Sequence, residues 1–481
     1  MARSTRTVII HGWSDCSDSF VAIKKYLIAE GVGDVDTVYY ADYESREDNV
    51  TFDDVAEGLN SQFIEKGFID KDGHALVDLN VIVHSTGGLV IRHWIARYYL
   101  APEPRLDDCP IRRIVMLAPA NFGSPLAHRG KSFLGELFKG RWKLGDMLEV
   151  GRLLLDGLEL GSPYQWRLAH RDLLTGFAPY RADRIQLTIL VGIEDYTGLR
   201  GWVNKAGTDG TVVISGTSLD TLKLTLDCTR SKGEDEDYEP YSWGQNKAVD
   251  EFAFGVLPDL NHGTIVSDPG NDGGGVVGPL LLRALRADSA AAFREHAKAL
   301  QDLTQETYTS TGKADFQQFI VHAVDDADNS IADFTLEFFI CRAARADAGV
   351  IAKDRRLTET EWSLSDEANR IITAEIHPHS VDGSYRRFLI NLPALRALLE
   401  RATTDDQGLG EPVALSMRVY VPRIDGGIRY AIDQLQNIVL LRTDGKAKGP
   451  TFLYSNTTTL LELRVNRVCD YVSVATSPKR H

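Results

Sequence analysis

Ser85 stands at a sharp change in the sequence. Before it, Val81-Ile82-Val83 reads as a buried strand; after it come Gly87, Gly88 and an amphipathic helical pattern that runs through Trp94. At a tight strand-to-helix turn a serine is held in strained geometry with its Oγ exposed, and small neighbours let the two backbones approach. Such a turn is a nucleophile elbow. The five residues Val83-His84-Ser85-Thr86-Gly87 carry the second glycine of G-x-S-x-G and a valine in place of the first. The same residues would also serve as an ordinary turn ahead of a helix. A serine nucleophile needs N–H donors for its oxyanion, a base to take its proton and an acid to orient the base.

One donor is implied by position: the N–H of Thr86, at the head of the following helix. A second is expected from a loop after an earlier strand. "TVIIHGW" supplies one, with Gly12 letting the backbone turn the N–H of Trp13 inward. For the acid, the order Ser, then Asp or Glu, then His places the residue after a later strand. Asp209 in "AGTDGTVVISGTSL" fits, because the apolar run Val212-Val213-Ile214 anchors its turn to the core. Glu194 and Asp195, at the end of the strand-like Ile185–Val191, compete for the role. For the base, His262 in "DLNHGTIVSDP" is the first histidine after Asp209, and the next, His296, falls in a predicted helix. His84 is adjacent to Ser85, but alternation along the strand points its side chain away from the serine's.

These residues need a scaffold. Strand-like segments at Thr7–Ile10, Asp36–Tyr40, Asn80–Val83, Arg113–Leu117 and Ile185–Val191 alternate with helical patterns at Ser19–Glu30, Phe52–Lys66 and Gly88–Leu100. Such alternation predicts a mostly parallel sheet with helices on both faces. Runs such as Ile114-Val115-Met116-Leu117 do not alternate, as expected of strands covered on both faces. Residues 122–180 break the pattern with an insertion rich in Leu, Phe and Trp, read as a helical cap over the site. An apolar cap beside a serine suggests an apolar acyl pocket; packing of the insertion onto the core is the plainer alternative.

The segments "VIIHGW", "VIVHSTGG", "LAPANFGSPLA", "GTDGTVVISGTS" and "NHGTIV", in this order, resemble the serine lipase and esterase branch of the α/β-hydrolase superfamily. Within it they are most similar to bacterial lipases and to lecithin-acyltransferase-like and deacylase-like serine esterases. The resemblance covers roughly Thr7 to Ala287. It implies an α/β-hydrolase sheet, Ser85 as nucleophile, Asp209 as acid, His262 as base, and Trp13 with Thr86 as oxyanion donors. It implies cleavage of carboxylic esters of lipids through an acyl-enzyme, with neither metal nor organic cofactor required. Val83 is the departure, since a glycine or alanine is usual there. Two alternatives stay open: an acyltransferase using the same triad, and a non-catalytic lipid- or partner-binding protein on a hydrolase scaffold.

Beyond the predicted catalytic domain, residues 1–290, a helix and linker fill 291–313. Residues 314–481 carry strand-like segments separated by turns such as "DDADNS" and "VDGS", with one short helix at Pro393–Arg401. That pattern predicts a β-sandwich. Sandwiches appended to lipases dock lipid or a partner protein, or simply stabilise or dimerise the chain. Trp362, Tyr385 and Tyr430 are candidates for interfacial aromatics or for its core.

Bulk properties bound the partners. With 53 basic against 68 acidic residues the formal charge is −15, which argues against nucleic acid. A local apolar patch could still meet a lipid surface. No apolar run approaches the ~20 residues that span a bilayer, and no signal-peptide pattern follows Met1. The expectation is a cytoplasmic protein, or one secreted without a cleavable signal peptide. Five widely spaced cysteines predict buried free thiols.

Overall fold

The computed structural model describes residues 3–11, 20–39, 50–127, 152–197, 204–229, 241–248, 250–347, 357–422, 428–430, 435, 437–447 and 449–469. In chain order the first strands are β1 (Thr5–His11), β2 (Val35–Tyr39), β3 (Asp78–His84), β4 (Ile111–Leu117), β5 (Gln186–Gly192), β6 (Thr221–Cys228), β7 (Ser242–Lys247) and β8 (Phe252–Leu257). Six of them form one sheet in the order β2-β1-β3-β4-β5-β8. Every neighbouring pair in it is parallel. Val81, Ile82, Val83, Ile114 and Leu190 are fully buried, so the non-alternating apolar runs belong to strands covered on both faces.

Three helices position the site: α1 (Val21–Ala29), α2 (Phe52–Glu65) and α3 (Gly87–Ile95). Thr51 and Asp54 cap α2 reciprocally, each side chain accepting from the other's backbone N–H, which satisfies two of its orphan donors. All nine residues of α3 are buried.

Clustering of the chain gives two units. The first comprises Met1–Leu222, Lys247–Gln318 and Ser455–Thr458; the second comprises Lys223–Asn246, Phe319–Tyr454 and Thr459–His481. In the first, the described part of the 122–180 insertion holds helices Arg152–Leu158 and Pro163–Asp172. Residues 128–151, with Phe133, Leu134, Phe138 and Trp142, lie outside the described residues. Leu154, Leu155, Leu158 and Leu160 are buried. Tyr164 stacks on Phe52 of α2, with ring centroids 4.2 Å apart. Its hydroxyl lies 3.0 Å from Nδ1 of His93 on α3. This part of the insertion packs onto the core.

Strand β8 was not legible in the sequence. In "FAFGVL", Ala253 and Gly255 dilute the β-branched and aromatic signal. Gly255 is there because a Cβ would stand 2.9 Å from Leu300 and 3.3 Å from Leu190. Leu300 belongs to the helix Ala290–Thr311, which takes up nearly all of the segment read as helix and linker, its extra turns ending at a left-handed Gly312. The extra turns are tied down where Thr307 Oγ1 donates to the Val256 carbonyl and Thr304 Oγ1 accepts the Val256 N–H.

That helix carries a buried liability. Among the described residues, neither ring nitrogen of the fully buried His296 has a hydrogen-bond partner. Burial, aided by Arg283, pushes its pKa down to about 4. Between the unfolded-state value of roughly 6.5 and about 4, the unfolded chain takes up a proton that the folded chain refuses, so stability falls as pH falls. The full cost is on the order of 3 kcal/mol. His296→Leu should therefore unfold at a higher urea concentration than the parent at pH 4.5, with a smaller gain at pH 7.5. An equal gain at both pH values would contradict this.

The remaining strands are β9 (Phe316–Asp325), β10 (Thr335–Arg342), β11 (Ile376–Pro378), β12 (Tyr385–Asn391), β13 (Val413–Tyr420), β14 (Ile428–Tyr430), β15 (Ile438–Arg442), β16 (Thr458–Val465) and β17 (Arg467–Cys469). They form a sheet β11-β12-β9-β16-β6-β7, a sheet β10-β13-β15 and a ribbon β14-β17. Phe319, Phe388 and Leu461 from the first of these and Phe338, Leu415 and Met417 from the second line one apolar cavity of about 50 Å³. Side chains from two sheets meeting in this way make the core of a β-rich domain.

Helices accompany the strands, among them Glu359–Ile372 and Leu392–Ala402. The first is additional to the one short helix that the sequence pattern predicts, Pro393–Arg401. Its stripe is thin, since Leu364, Ala368 and Ile372 bury one face of an otherwise polar segment. Thr358 and Glu361 close a capping box at its start. Tyr385 and Tyr430 are buried, whereas Trp362 is 48% exposed. Cys109 and Cys228 are buried free thiols, and Cys341 is buried. Burial pushes Cys109 and Cys228 up to about 12, which leaves them unreactive. Among the described residues, no helix is long and apolar enough to cross a membrane.

Candidate active site

Strand β3 delivers Ser85 to the C-terminal edge of the parallel sheet, where ligands of open α/β sheets bind. Its φ is +54°, a left-handed conformation that costs a non-glycine residue roughly 1–2 kcal/mol. Surrounding bonds hold it there. The Ser85 N–H donates to the Leu117 carbonyl at 3.1 Å, and the Ser85 carbonyl accepts the Ala120 N–H at 3.0 Å. Both neighbouring glycines are required by close approach. A Cβ at position 87 would stand 3.0 Å from the Val83 Cβ, and one at position 88 would stand 2.7 Å from the Pro119 Cβ. Val83 is thus accommodated across the elbow because Gly87 has no side chain.

His262 Nε2 lies 3.2 Å from Ser85 Oγ, and His262 Nδ1 lies 3.0 Å from Asp209 Oδ2. The other Asp209 oxygen, Oδ1, accepts the N–H groups of Thr211 at 3.0 Å and Val212 at 2.8 Å. Ser85, His262 and Asp209 are 9%, 1% and 0% exposed. In such a water-poor setting, fixed dipoles and charges act more strongly than in solvent. Glu194 and Asp195 instead face Lys313, at 3.3 and 3.6 Å.

The loops that present these side chains are built locally. Gly210 follows Asp209 at φ +92°, and a Cβ there would stand 2.6 Å from the Tyr196 ring. The run after it forms a short helix, Ile214–Thr217, in place of an extended segment. Asn261 Oδ1 accepts the N–H groups of Gly263 and Thr264, each at 3.0 Å, and so folds the turn around His262. That turn rests on the end of β5, where a Cβ on Gly192 would stand 2.1 Å from the Leu260 carbonyl oxygen.

Thr86 is the N-cap of α3, in helical geometry. Its N–H is one of the leading amides of the helix, directly after Ser85. Trp13 lies outside the described residues.

Two features of the site were not legible beforehand. His84 is buried, with Nε2 3.1 Å from the His262 carbonyl oxygen and ring centroids 4.6 Å apart. Its side chain reaches the loop that carries His262. The second feature is an ion pair. Arg92, in the middle of the apolar "LVIRHW", donates through Nε and Nη2 to both oxygens of Asp172, at 2.8 and 3.0 Å. Burial alone would lower the guanidinium pKa, but the Asp172 carboxylate outweighs it and raises that value. A charge inside an apolar helical run signals a buried partner; the partner itself is 80 residues away in the insertion.

Asp70, Asp72 and His74 also bring three ligand-type groups together. There, Asp70 Oδ1 already accepts the N–H groups of Asp72 and His74. This is the bonding of an Asp turn.

No family model matches the chain, and no curated protein sequence matches it. Solved structures do. Phospholipase PlaB from Legionella pneumophila in complex with thio-NAD superposes with a TM-score of 0.74 at 21% identity, over 99% of this chain and 97% of that one. A second structure of the same phospholipase gives 0.73 at 20% identity, with the same coverage. At this identity the likeness concerns the fold. The chain has an α/β-hydrolase fold followed by a β-rich C-terminal part, an architecture it shares with that phospholipase along nearly its whole length.

Proposed function

We propose that this chain is a serine hydrolase that cleaves carboxylic esters of lipids. The observation that carries the reading is the hydrogen-bonded series Ser85–His262–Asp209, set on a left-handed elbow and buried. In this reading His262 Nε2 takes the proton of Ser85 Oγ as the oxygen attacks the ester carbonyl. Asp209 holds the Nδ1–H tautomer and stabilises the imidazolium that forms. The developing oxyanion is received by the N–H of Thr86 and by that of Trp13, each worth on the order of 3 kcal/mol of barrier. Protonated His262 then returns its proton to the leaving alcohol. Water, deprotonated by the same ring, releases the acid from Ser85. Every step uses groups of this chain, with no metal or organic cofactor.

The lipid part of the reading rests on two supports. Beyond the part that packs onto the core, the insertion still carries Phe133, Leu134, Phe138 and Trp142, and a structure of similar fold is named a phospholipase. Residues 1–290 would form the catalytic domain, with 122–180 as its cap. Residues 291–313 would link it to a sandwich at 314–481.

A panel of carboxylic esters of increasing acyl length, extended to glycerides and phospholipids, tests the substrate. Turnover should rise with acyl length and include at least one glyceride or phospholipid. Equal rates on short and long esters, with no lipid cleaved, would remove the lipid assignment and leave the esterase. Transfer of the acyl group to an added alcohol in preference to water would make the protein an acyltransferase.

A further inference from the structure

We infer that His84 is a positioning residue for His262, holding the backbone of the proposed base through a hydrogen bond to its carbonyl. The inference rests on the reading of Ser85, His262 and Asp209 given above. A carbonyl oxygen only accepts, so at 3.1 Å the contact requires the proton to sit on His84 Nε2. The contact closes a set of four around one residue. The His262 side chain is held at both ring nitrogens, by Asp209 and Ser85. Its N–H donates to the Asp209 carbonyl at 3.0 Å. Its own carbonyl is the remaining backbone handle, and His84 takes it.

The geometry makes this a matter of aim as well as of attachment. The two imidazole rings lie 4.6 Å apart at 44°, so the His84 ring also limits the tilt of the His262 ring. Phe20 also packs edge-on against His84, at 6.3 Å and 68°. His84 itself is the last residue of β3, paired with Leu117 of β4. Besides its contact at the end of β5, the sheet therefore reaches the His262 loop through the His84 side chain. Ser85 follows His84 directly at the end of β3, so a displacement of β3 carries both together. That is how a supporting group keeps reacting atoms within a few tenths of an ångström.

His84→Phe keeps the ring and removes the donor, whereas His84→Gln keeps a donor at a similar reach. The rate of Ser85 phosphonylation by a fluorophosphonate should fall about 10-fold in His84→Phe and recover most of that loss in His84→Gln. For ester turnover the fall should appear in kcat, with KM unchanged. Thermal midpoints measured alongside separate this from simple unfolding, which would lower the active fraction without a donor-specific rescue. Nitrogen NMR of the histidine rings in the unsubstituted protein gives a test that needs no variant: His84 should be found as the Nε2–H tautomer. Equal labelling rates in parent and His84→Phe, or an Nδ1–H tautomer at His84, would overturn the inference and leave the site standing. A parent protein that does not label at Ser85 would overturn the reading of the site and the inference with it.

Discussion

Ser85→Ala should lower kcat for ester hydrolysis by about 10⁶-fold, and His262→Ala should do nearly the same, because nucleophile and base act as one unit. Asp209→Asn should cost less, roughly 10⁴-fold, since it leaves the nucleophile and spoils the tautomer of the base. The double variant Ser85→Ala/His262→Ala should be no worse than either single one. All of them should fold. Removing the Ser85 hydroxyl leaves the elbow's backbone bonds to Leu117 and Ala120 in place. Steady-state kinetics on a long-chain ester check these values, and a Ser85→Ala protein retaining a tenth of the parent rate would contradict them.

Arg92→Met should give the largest loss of stability expected from a single substitution here. It leaves the Asp172 carboxylate buried among Tyr180, which donates to it at 3.2 Å, and apolar neighbours. Breaking a buried pair by removing one partner costs about 3–5 kcal/mol, because the surviving charge has lost its counterion. For a domain of this size that lowers the melting temperature by roughly 10 °C. The pair also bears on the site. Arg92 Nη1 donates to the Asn121 carbonyl at 3.2 Å, and Asn121 Nδ2 donates to the Thr217 carbonyl at 2.7 Å. Nearby, Ser124 Oγ donates to the Thr211 carbonyl at 2.7 Å, two residues beyond Asp209. The helix after Ser85, the root of the insertion and the loop of Asp209 are thereby bonded into one piece. Replacing both charges, as Arg92→Met/Asp172→Leu, should return much of the stability. Calorimetric melting checks both expectations; a single substitution costing less than about 1 kcal/mol would refute the first.

The contrast between Arg92 and Ser85 marks what a sequence can disclose. Ser85, Asp209 and His262 are each flagged by a local pattern: a strand-to-helix turn, an Asp-Gly turn, a histidine in a polar turn. Chain order narrows the rest. The parallel sheet is equally local in its signals, because each of its first five strands is a compact apolar run between helical patterns. Strand β8 escaped because packing against Leu300 demands glycine where a strand residue would announce itself. The helix Glu359–Ile372 escaped because only three apolar residues define its buried face, although its capping box was present in the letters. His84 and Arg92 escaped for a different reason. Their partners are 178 and 80 positions distant, and no local rule encodes which distant group a buried polar side chain will meet. Val83 was the unexplained departure from the elbow motif, and Gly87 accounts for it.

The central claim is that Ser85 is a nucleophile activated by His262. Labelling of the intact protein with a fluorophosphonate, followed by peptide mapping, tests it most directly. The account predicts a single phosphonylated residue, Ser85, with labelling abolished in Ser85→Ala and strongly slowed in His262→Ala. A folded protein that takes no label, or takes it at a residue other than Ser85, would contradict it.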